Sequence, residues 1–223
     1  MKIPSRSHVH MLSYLLVLLL LPLLASSADP DSLQDFCVAD QSASSISVNG
    51  YPCKPASKVT TDDFFFDGLT KVGDTSNIFG SSVTAGNVLS FPALNTLGIS
   101  MNRVDLAAGG LNPPHTHPRA TESGVVISGQ VLVGFVTPGN VYHSKVLYAG
   151  QMFVIPRGLV HFQKNVGTGI ALIVTAFNSQ LPGAVVLPFN LFASTPTIPN
   201  DVLARAFQVE EKVIESIKPK FSS

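Results

Sequence analysis

Three histidines and one glutamate in this chain have the residue types and spacing of a metal site. His115 and His117 stand two positions apart in a proline-rich segment, and Glu122 follows five residues later. His161 lies in a second segment that is bracketed by turn residues. Three imidazoles and one carboxylate are a typical ligand set for a divalent first-row metal.

Strand geometry must bring these side chains together. Residues i and i+2 of a strand point to the same face, so His115 and His117 can bind one ion. Pro118 must end that strand, which lets Glu122 return from the next segment. His161 follows a Pro-Arg-Gly turn, so a strand in hairpin relation can bring it opposite the first two histidines.

The ligand types leave the identity of the metal open. Zinc prefers four-coordinate sites, so four protein ligands would leave it no open position. Mn²⁺ or Fe²⁺ tends to six-coordination and would keep two positions for water, substrate or O₂. Affinity does not decide, because Mn²⁺ stands low in the affinity order. A single carboxylate leaves a divalent centre with a net positive charge, which favours an anionic ligand.

Other polar residues near these segments are weaker candidates. We interpret His143 as a surface residue, because it stands without a partner on an exposed strand pattern. Asn102 and Asn112 are the possible substrate contacts, since each can donate an amide N–H to a carboxylate. Asn112 precedes a proline and is equally compatible with a turn. We expect Arg119 and Arg157 to be structural and to form ion pairs outside the pocket.

Regularly spaced short strands must position the candidate ligands. Between residues 99 and 177 the chain is rich in valine, isoleucine and phenylalanine, and glycine, proline and asparagine separate the apolar runs. This pattern predicts an all-β sandwich or barrel and disfavours a βαβ fold. Strands are predicted at 99–106, 124–128, 130–136, 141–148, 151–155, 161–166 and 169–177, with a further short strand at 184–187.

The segments on either side of this region have a different character. Residues 71–97 are rich in glycine, serine and asparagine and are predicted to form a long surface loop. A capped helix is predicted after Pro199. Its apolar face is formed by Val202, Leu203, Ala206 and Phe207. A second helix is predicted at 210–217, and the pair should pack on the barrel or on a neighbouring subunit.

The first 28 residues have the pattern of a secretory signal peptide. Lys2 and Arg6 precede a largely apolar run that ends at Leu24. The run is short for a membrane span and contains a proline, so a membrane anchor is the less favoured alternative. No other run is long enough to span a membrane. Subtracting Lys2 and Arg6 from 14 basic residues leaves 12, against 14 acidic residues. This balance gives no basis for nucleic-acid binding.

Cys37 and Cys53 are expected to form a disulfide, because an even cysteine count in a secreted chain is typical of pairing. The closed loop would hold 15 residues between them. For a loop of that length the chain-entropy model gives about 3 kcal/mol of stabilisation. Two free thiols in a reducing compartment are the alternative. Pairing leaves no thiolate for the metal.

The two histidine segments resemble the paired cupin boxes in their germin form. The first box is matched by Gly109, His115-Thr116-His117, Glu122 and Gly129, and the second by Gly150, Pro156-Arg157-Gly158, His161 and Asn165. Residues 33–40 and 95–105 also look germin-like, as does the cysteine pair. The chain is therefore similar to the plant germin-like proteins over essentially its whole mature length.

The resemblance implies an architecture and an assembly. It implies a cupin jelly-roll β-barrel at 61–198, preceded by a disulfide-bonded extension at 29–60. A short C-terminal helical segment is expected at 199–223. Germin-like proteins form homohexamers and reside in the apoplast, so the same assembly and secretion to the extracellular space are expected here.

The resemblance also implies a cofactor and a chemistry. Residues matching His115, His117, Glu122 and His161 bind Mn²⁺ in the family. Some members are oxalate oxidases and others are superoxide dismutases, and both generate H₂O₂ in defence or stress. Oxalate or superoxide is therefore the expected small anion. Asn102 and Asn112 match the asparagines that contact substrate in the oxalate oxidases. The alternative function is a non-catalytic, metal-stabilised cell-wall or receptor-like binding protein.

Overall fold

Two antiparallel sheets form the body of the protein. The structure is a computed structural model that describes residues 34–43 and 49–221, so the predicted signal peptide lies outside the described residues. The strands are β1 (Ser81–Gly86), β2 (Ser100–Leu106), β3 (Leu111–Thr116), β4 (Glu122–Ser128), β5 (Gln130–Val136), β6 (Tyr142–Tyr148), β7 (Met152–Ile155), β8 (Val160–Asn165), β9 (Ala171–Phe177) and β10 (Val185–Val186). The prediction of an all-β fold is confirmed.

The sheets enclose one hydrophobic core. Sheet I has the strand order β1-β2-β9-β4-β7, and sheet II has the order β10-β3-β8-β5-β6. Both sheets contribute buried apolar side chains to the core: Val104, Leu106, Val126, Ile155, Ala171 and Ile173 from sheet I, and Val131, Val133 and Leu147 from sheet II. Alternate residues along a strand point to opposite faces, so each strand gives one row of side chains to this interior.

Sheet I begins with an edge strand that has little strand signal in its sequence. The prediction of a surface loop over 71–97 is wrong at its centre, because β1 pairs antiparallel with β2. The register runs from Ser81 opposite Leu106 to Gly86 opposite Met101. Small polar residues and glycine are weak strand formers, so the hydrogen-bond ladder to β2 stabilises β1 more than its own composition does.

Strand β3 contains the two prolines that precede the first histidine. Its pairing with β8 changes register between Asn112 and His115, where Pro113 and Pro114 lie. Proline has no N–H to donate, so an interruption of the ladder is where a strand tolerates it. Beyond the interruption, His115 stands directly opposite His161. The two predicted histidine segments are therefore neighbours in one sheet.

Short helices lie before, between and after the strands. They are α1 (Leu187–Phe192), α2 (Asn200–Phe207) and α3 (Glu211–Ile217), with 3-10 helices at Ala56–Lys58, Thr61–Phe64, Pro92–Leu94 and Lys218–Lys220. The two helices predicted after Pro199 are present, whereas α1 was not predicted.

Leu203, Ala204 and Ile214 form a small second core. Val202 and Phe207 are about half exposed, so the predicted apolar face of α2 is only partly correct. No helix in the described ranges is long and apolar enough to cross a membrane.

A disulfide closes the N-terminal extension. Cys37 and Cys53 are bonded, which confirms the predicted pairing. The buried side chain of Asn95 donates its amide to Cys37 Sγ and, over 2.8 Å, to the Tyr51 carbonyl. Ala39 donates its backbone N–H to the Pro92 carbonyl. The extension is therefore attached to the loop that leads into β2.

Candidate metal centre

The three histidines and the glutamate form one buried cluster. Their candidate ligand atoms all lie within 4.8 Å of one another. His115 lies on β3 and His161 on β8, both in sheet II, and His117 directly follows β3. Glu122 begins β4 in sheet I. The turn after Pro118 thus carries the chain from one sheet to the other, and the cluster joins the two sheets.

Backbone carbonyls orient all three imidazole rings. Each Nδ1 atom lies within hydrogen-bond distance of a main-chain oxygen: His115 to Pro113, His117 to Gly183, and His161 to Leu159. A carbonyl only accepts, so each Nδ1 carries a proton, and in the neutral ring Nε2 keeps its lone pair. A ring fixed in this way is prepared to bind a metal through Nε2.

The contacts inside the cluster require a positive charge. Glu122 Oε2 lies 2.9 Å from His161 Nε2 and 3.1 Å from His117 Nε2. With Nδ1 protonated, neutral rings direct lone pairs at the carboxylate oxygen, and such contacts are repulsive unless a proton or cation lies between them. Nitrogen and oxygen donors that converge on one buried point fit a divalent metal.

Burial and mutual contacts set the protonation of the cluster. Burial, followed by the neighbouring His161, lowers the pKa of His115 to about 4. Burial acts to raise the pKa of Glu122, but the hydrogen bonds that His117 and His161 donate when Nε2 carries a proton in place of a metal outweigh it and hold that pKa at about 2. At neutral pH the cluster therefore contains an ionised carboxylate and a neutral His115, the forms that bind a metal.

A cavity of about 140 Å³ lies beside the cluster. Its polar lining beyond the ligands consists of Asn102, Asn112 and Thr175, and its apolar lining consists of Val83, Val104, Phe177, Ala184 and Val186. Asn102 lies on β2 in sheet I, whereas Asn112 lies on β3 in sheet II. The two candidate substrate contacts therefore approach the cavity from opposite sheets.

Gln163 connects one of these asparagines to the glutamate. It is 1% exposed, donates from Nε2 to Glu122 Oε1 over 3.2 Å, and accepts from Asn112 Nδ2 over 2.7 Å. Glu122 thus directs one oxygen to the histidines and the other to Gln163. Gln163 was not predicted as a site residue, although its position two residues after His161 places it on the same strand face.

Three other polar residues singled out in the sequence do not line the cavity. His143 is exposed, as predicted, and stacks on Phe135 with ring centroids 5.1 Å apart. Arg119 donates to the Leu181 carbonyl, and Arg157 donates to the Arg119 carbonyl. The predicted ion pairs of these arginines are therefore replaced, within the described part of the chain, by hydrogen bonds to the backbone.

Known proteins share this fold and sequence. The Cupin family model matches residues 67–215. Germin-like protein subfamily T member 2 of Arabidopsis thaliana is 56% identical over 210 residues, which cover 94% of each chain. The rhicadhesin receptor of Pisum sativum is 56% identical over 192 residues, covering 86% of this chain and 88% of the relative. A solved structure of an oxalate oxidase in complex with the substrate analogue glycolate has a TM-score of 0.84 and 55% identity, covering 86% of this chain and 98% of that chain. The chain belongs to the germin-like proteins of the cupin family.

Proposed function

We propose that this protein is a secreted, manganese-binding redox protein of the plant apoplast that acts on a small anion in defence or stress chemistry. The anion is oxalate or superoxide, and H₂O₂ is the product. The observation that carries this proposal is the cavity of about 140 Å³ that brings Asn102 and Asn112 beside the ligand cluster. The likeness to an oxalate oxidase at 55% identity supports it.

The charge of the cluster favours an anionic ligand. Three neutral imidazoles and one carboxylate would leave a divalent ion with a net positive charge. The cavity wall is largely apolar, with Val104, Phe177 and Val186 among its residues. Low polarity strengthens the attraction between this positive centre and an anion. The asparagine amides can then orient the anion by donating hydrogen bonds to its oxygens.

The protein's own residues would bind and orient the reactants. Manganese, when bound by the four ligands, would supply redox chemistry and two open coordination positions. Asn102 and Asn112 would hold the anion from opposite sheets, while Gln163 keeps Asn112 and the Glu122 carboxylate in a fixed relation. In the oxalate reaction, oxalate, O₂ and two protons give two CO₂ and one H₂O₂. In the dismutase reaction, two superoxide ions and two protons give O₂ and H₂O₂.

The test is carried out on the purified secreted protein. Metal content is measured by mass spectrometry, together with H₂O₂ release from oxalate and removal of superoxide. We expect about one manganese ion per chain and at least one of the two activities. His117→Ala should lose metal and activity, whereas His143→Ala, at an exposed position, should keep both. Metal retention by His117→Ala would contradict the ligand set, and manganese-loaded protein that is silent in both assays would overturn the enzymatic proposal.

A non-catalytic binding role is the second candidate function. A relative that is 56% identical is named a receptor, the rhicadhesin receptor of Pisum sativum, and this favours the role. The metal would then stabilise the fold without turnover, because an ion that binds only the folded state shifts the folding equilibrium. Manganese-loaded protein that shows neither activity, yet melts at a lower temperature after chelation, is the result that this role predicts.

We propose secretion and assembly into a homohexamer as part of the same function. The Cys37–Cys53 disulfide supports an oxidising compartment. Large apolar side chains on the surface support assembly, since Phe65, Ile78 and Met152 are 73%, 71% and 68% exposed. Light scattering at micromolar concentration should give the mass of six chains, and the mass of a single chain would contradict the assembly.

A further inference from the structure

Thr175 has a buried hydroxyl for which the described part of the chain provides no hydrogen-bond partner. The residue lies on β9 and is 1% exposed. Its Oγ1 makes no hydrogen bond to any residue that the structure describes. Buried polar groups almost always have a partner, so each exception requires an explanation.

The position of Thr175 indicates what the partner is. Thr175 lines the cavity beside the ligand cluster. In sheet I it stands opposite Asn102 on β2 and opposite Gly124 on β4. Directly paired residues of antiparallel strands point to the same face, and Glu122 is two residues before Gly124 on that face. Thr175 therefore lies on the strand between the strand of Asn102 and the strand of Glu122.

Gly124 offers no polar group to the hydroxyl. It has no side chain, and a Cβ added there would lie 2.3 Å from the ring of Phe153. The β4 side of Thr175 is therefore closed by an aromatic ring, while the cavity provides space for a ligand.

Thr116 shows that an unpartnered hydroxyl alone is not enough. Its Oγ1 is also buried without a partner among the described residues. However, Thr116 lies between His115 and His117 on β3, so it faces away from them, and it is not part of the cavity lining. Of these two threonines, only Thr175 both has an unpartnered hydroxyl and lines the cavity.

We propose that Thr175 is a specificity-determining residue whose hydroxyl donates a hydrogen bond to a small dicarboxylate held in the cavity. The role of Thr175 rests on the proposed function, which places an anion in the cavity. It favours oxalate over superoxide as that anion. Asn102, Asn112 and Thr175 provide three protein donors in addition to the metal. The four oxygens of a dicarboxylate such as oxalate can satisfy this set, whereas the two atoms of superoxide cannot.

The test uses variants that change the hydroxyl and little else. Thr175→Val is nearly isosteric and removes the hydroxyl, Thr175→Ser keeps it, and Thr116→Val is the matched control outside the cavity. The dissociation constant of oxalate is measured by calorimetry on manganese-loaded protein, alongside metal content and melting temperature. Thr175→Val should weaken oxalate binding about tenfold, while Thr175→Ser and Thr116→Val should stay within about twofold of the parent protein.

Stability separates a ligand contact from a structural role. Without oxalate, Thr175→Val should melt no lower than the parent protein, because the lost hydroxyl has no partner among the residues that the structure describes. In the H₂O₂ assay, KM should rise more than kcat falls, since a lost binding contact acts mainly on substrate affinity.

Each contrary result has a distinct meaning. Unchanged oxalate affinity in Thr175→Val would overturn the role of Thr175 and leave the proposed function intact. A loss of metal or of melting temperature in Thr175→Val, but not in Thr116→Val, would show that the residue is structural and would also overturn its role. Manganese-loaded parent protein that binds no oxalate would overturn both the dicarboxylate substrate and the role of Thr175.

Discussion

Gln163 and Glu122 share a hydrogen bond that crosses from sheet II to sheet I, in which the Gln163 Nε2–H donates to Glu122 Oε1 over 3.2 Å. Both side chains are buried, at 1% and 2% exposure. The bond fixes the rotation of the carboxylate, so that Oε2 faces the histidines. The geometry of the ligand cluster therefore depends on a residue that is not itself a ligand.

Replacing Gln163 by leucine should weaken metal binding about tenfold, because the carboxylate loses the group that orients it. Metal affinity is measured by competition with a chelator of known affinity. Gln130→Leu, at an exposed position of β5, is the matched control and should bind metal as the parent protein does. Equal affinities of Gln163→Leu and the parent protein would contradict the positioning role.

Gly183→Ala should also weaken metal binding about tenfold, through the ring of His117. The Gly183 carbonyl accepts from His117 Nδ1. Gly183 has φ +69°, and an added Cβ would lie 2.9 Å from the Arg119 guanidinium. The strained left-handed conformation and the contact with Arg119 should together shift the backbone, which would move the carbonyl and turn the imidazole. Metal content after dialysis against a chelator provides the measurement.

Gly150→Ala is the control for the left-handed backbone itself. Gly150 has φ +84°, and an added Cβ would meet nothing within 4 Å. Gly150→Ala should therefore lose about 1 kcal/mol of stability from the left-handed backbone without any change in metal affinity. If Gly150→Ala lost as much metal as Gly183→Ala, the contact with Arg119 would have no specific role.

Asp105 should make the stability of the fold depend on pH. The Arg103 guanidinium contacts its carboxylate at 2.8 and 2.9 Å, and the Gly73 N–H donates to it over 2.9 Å. Burial acts to raise the pKa of Asp105, but these hydrogen bonds outweigh it and lower the pKa. A depressed pKa in the folded state stabilises the fold above the unfolded pKa of about 3.9, and this contribution is lost as the pH falls through the folded pKa.

Asp105→Asn should lower the free energy of unfolding at pH 7 by about 2 kcal/mol, because the buried contacts to Arg103 and Gly73 weaken. The difference from the parent protein should shrink below about pH 4, where the parent carboxylate takes up a proton. Urea unfolding at a series of pH values measures the loss of unfolding free energy at pH 7 and its decrease at low pH. Asp35→Asn, at an exposed position, should have little effect, and a pH-independent difference for Asp105→Asn would refute the expectation.

Replacing both cysteines by alanine should cost about 3 kcal/mol of stability and leave the metal in place. The disulfide constrains the extension around Cys37 and Cys53, whereas the candidate ligands lie on β3, β4, β8 and the turn after β3. Limited proteolysis should therefore cut the extension sooner in the variant, while metal content stays constant. Loss of metal would show a coupling between the two regions that the contacts do not predict.

The β body could be predicted from the sequence because its apolar runs are bounded by turn residues. The predicted strands between residues 99 and 177 end within two residues of the observed ones. Strand β1 could not be predicted, because Ser81–Gly86 has few apolar residues and depends on β2 for pairing. Helix α1 was not predicted, because it begins at Leu187-Pro188 and a residue before proline is typically extended.

All four candidate ligands were predicted, whereas the residues around them were predictable only in part. The i and i+2 spacing of His115 and His117 is a local pattern, whereas the route of Glu122 into the opposite sheet is a tertiary feature. Gln163 and Thr175 were not predicted as site residues, because their positions depend on strand register, which the pattern of a single strand does not specify. A polar residue at a strand position that should face the interior is the sequence pattern that indicates such residues.

An ion held by Glu122 and the three histidines would cross-link sheet I and sheet II. Its release would require bonds to both sheets to break, among them those to Glu122 and His161, which are 2% and 1% exposed. Exchange of the ion should then be slow, because several buried ligands must release it before it can leave through the cavity that they line. The metal carried by each molecule would therefore follow a change in the supply of ions only after a delay.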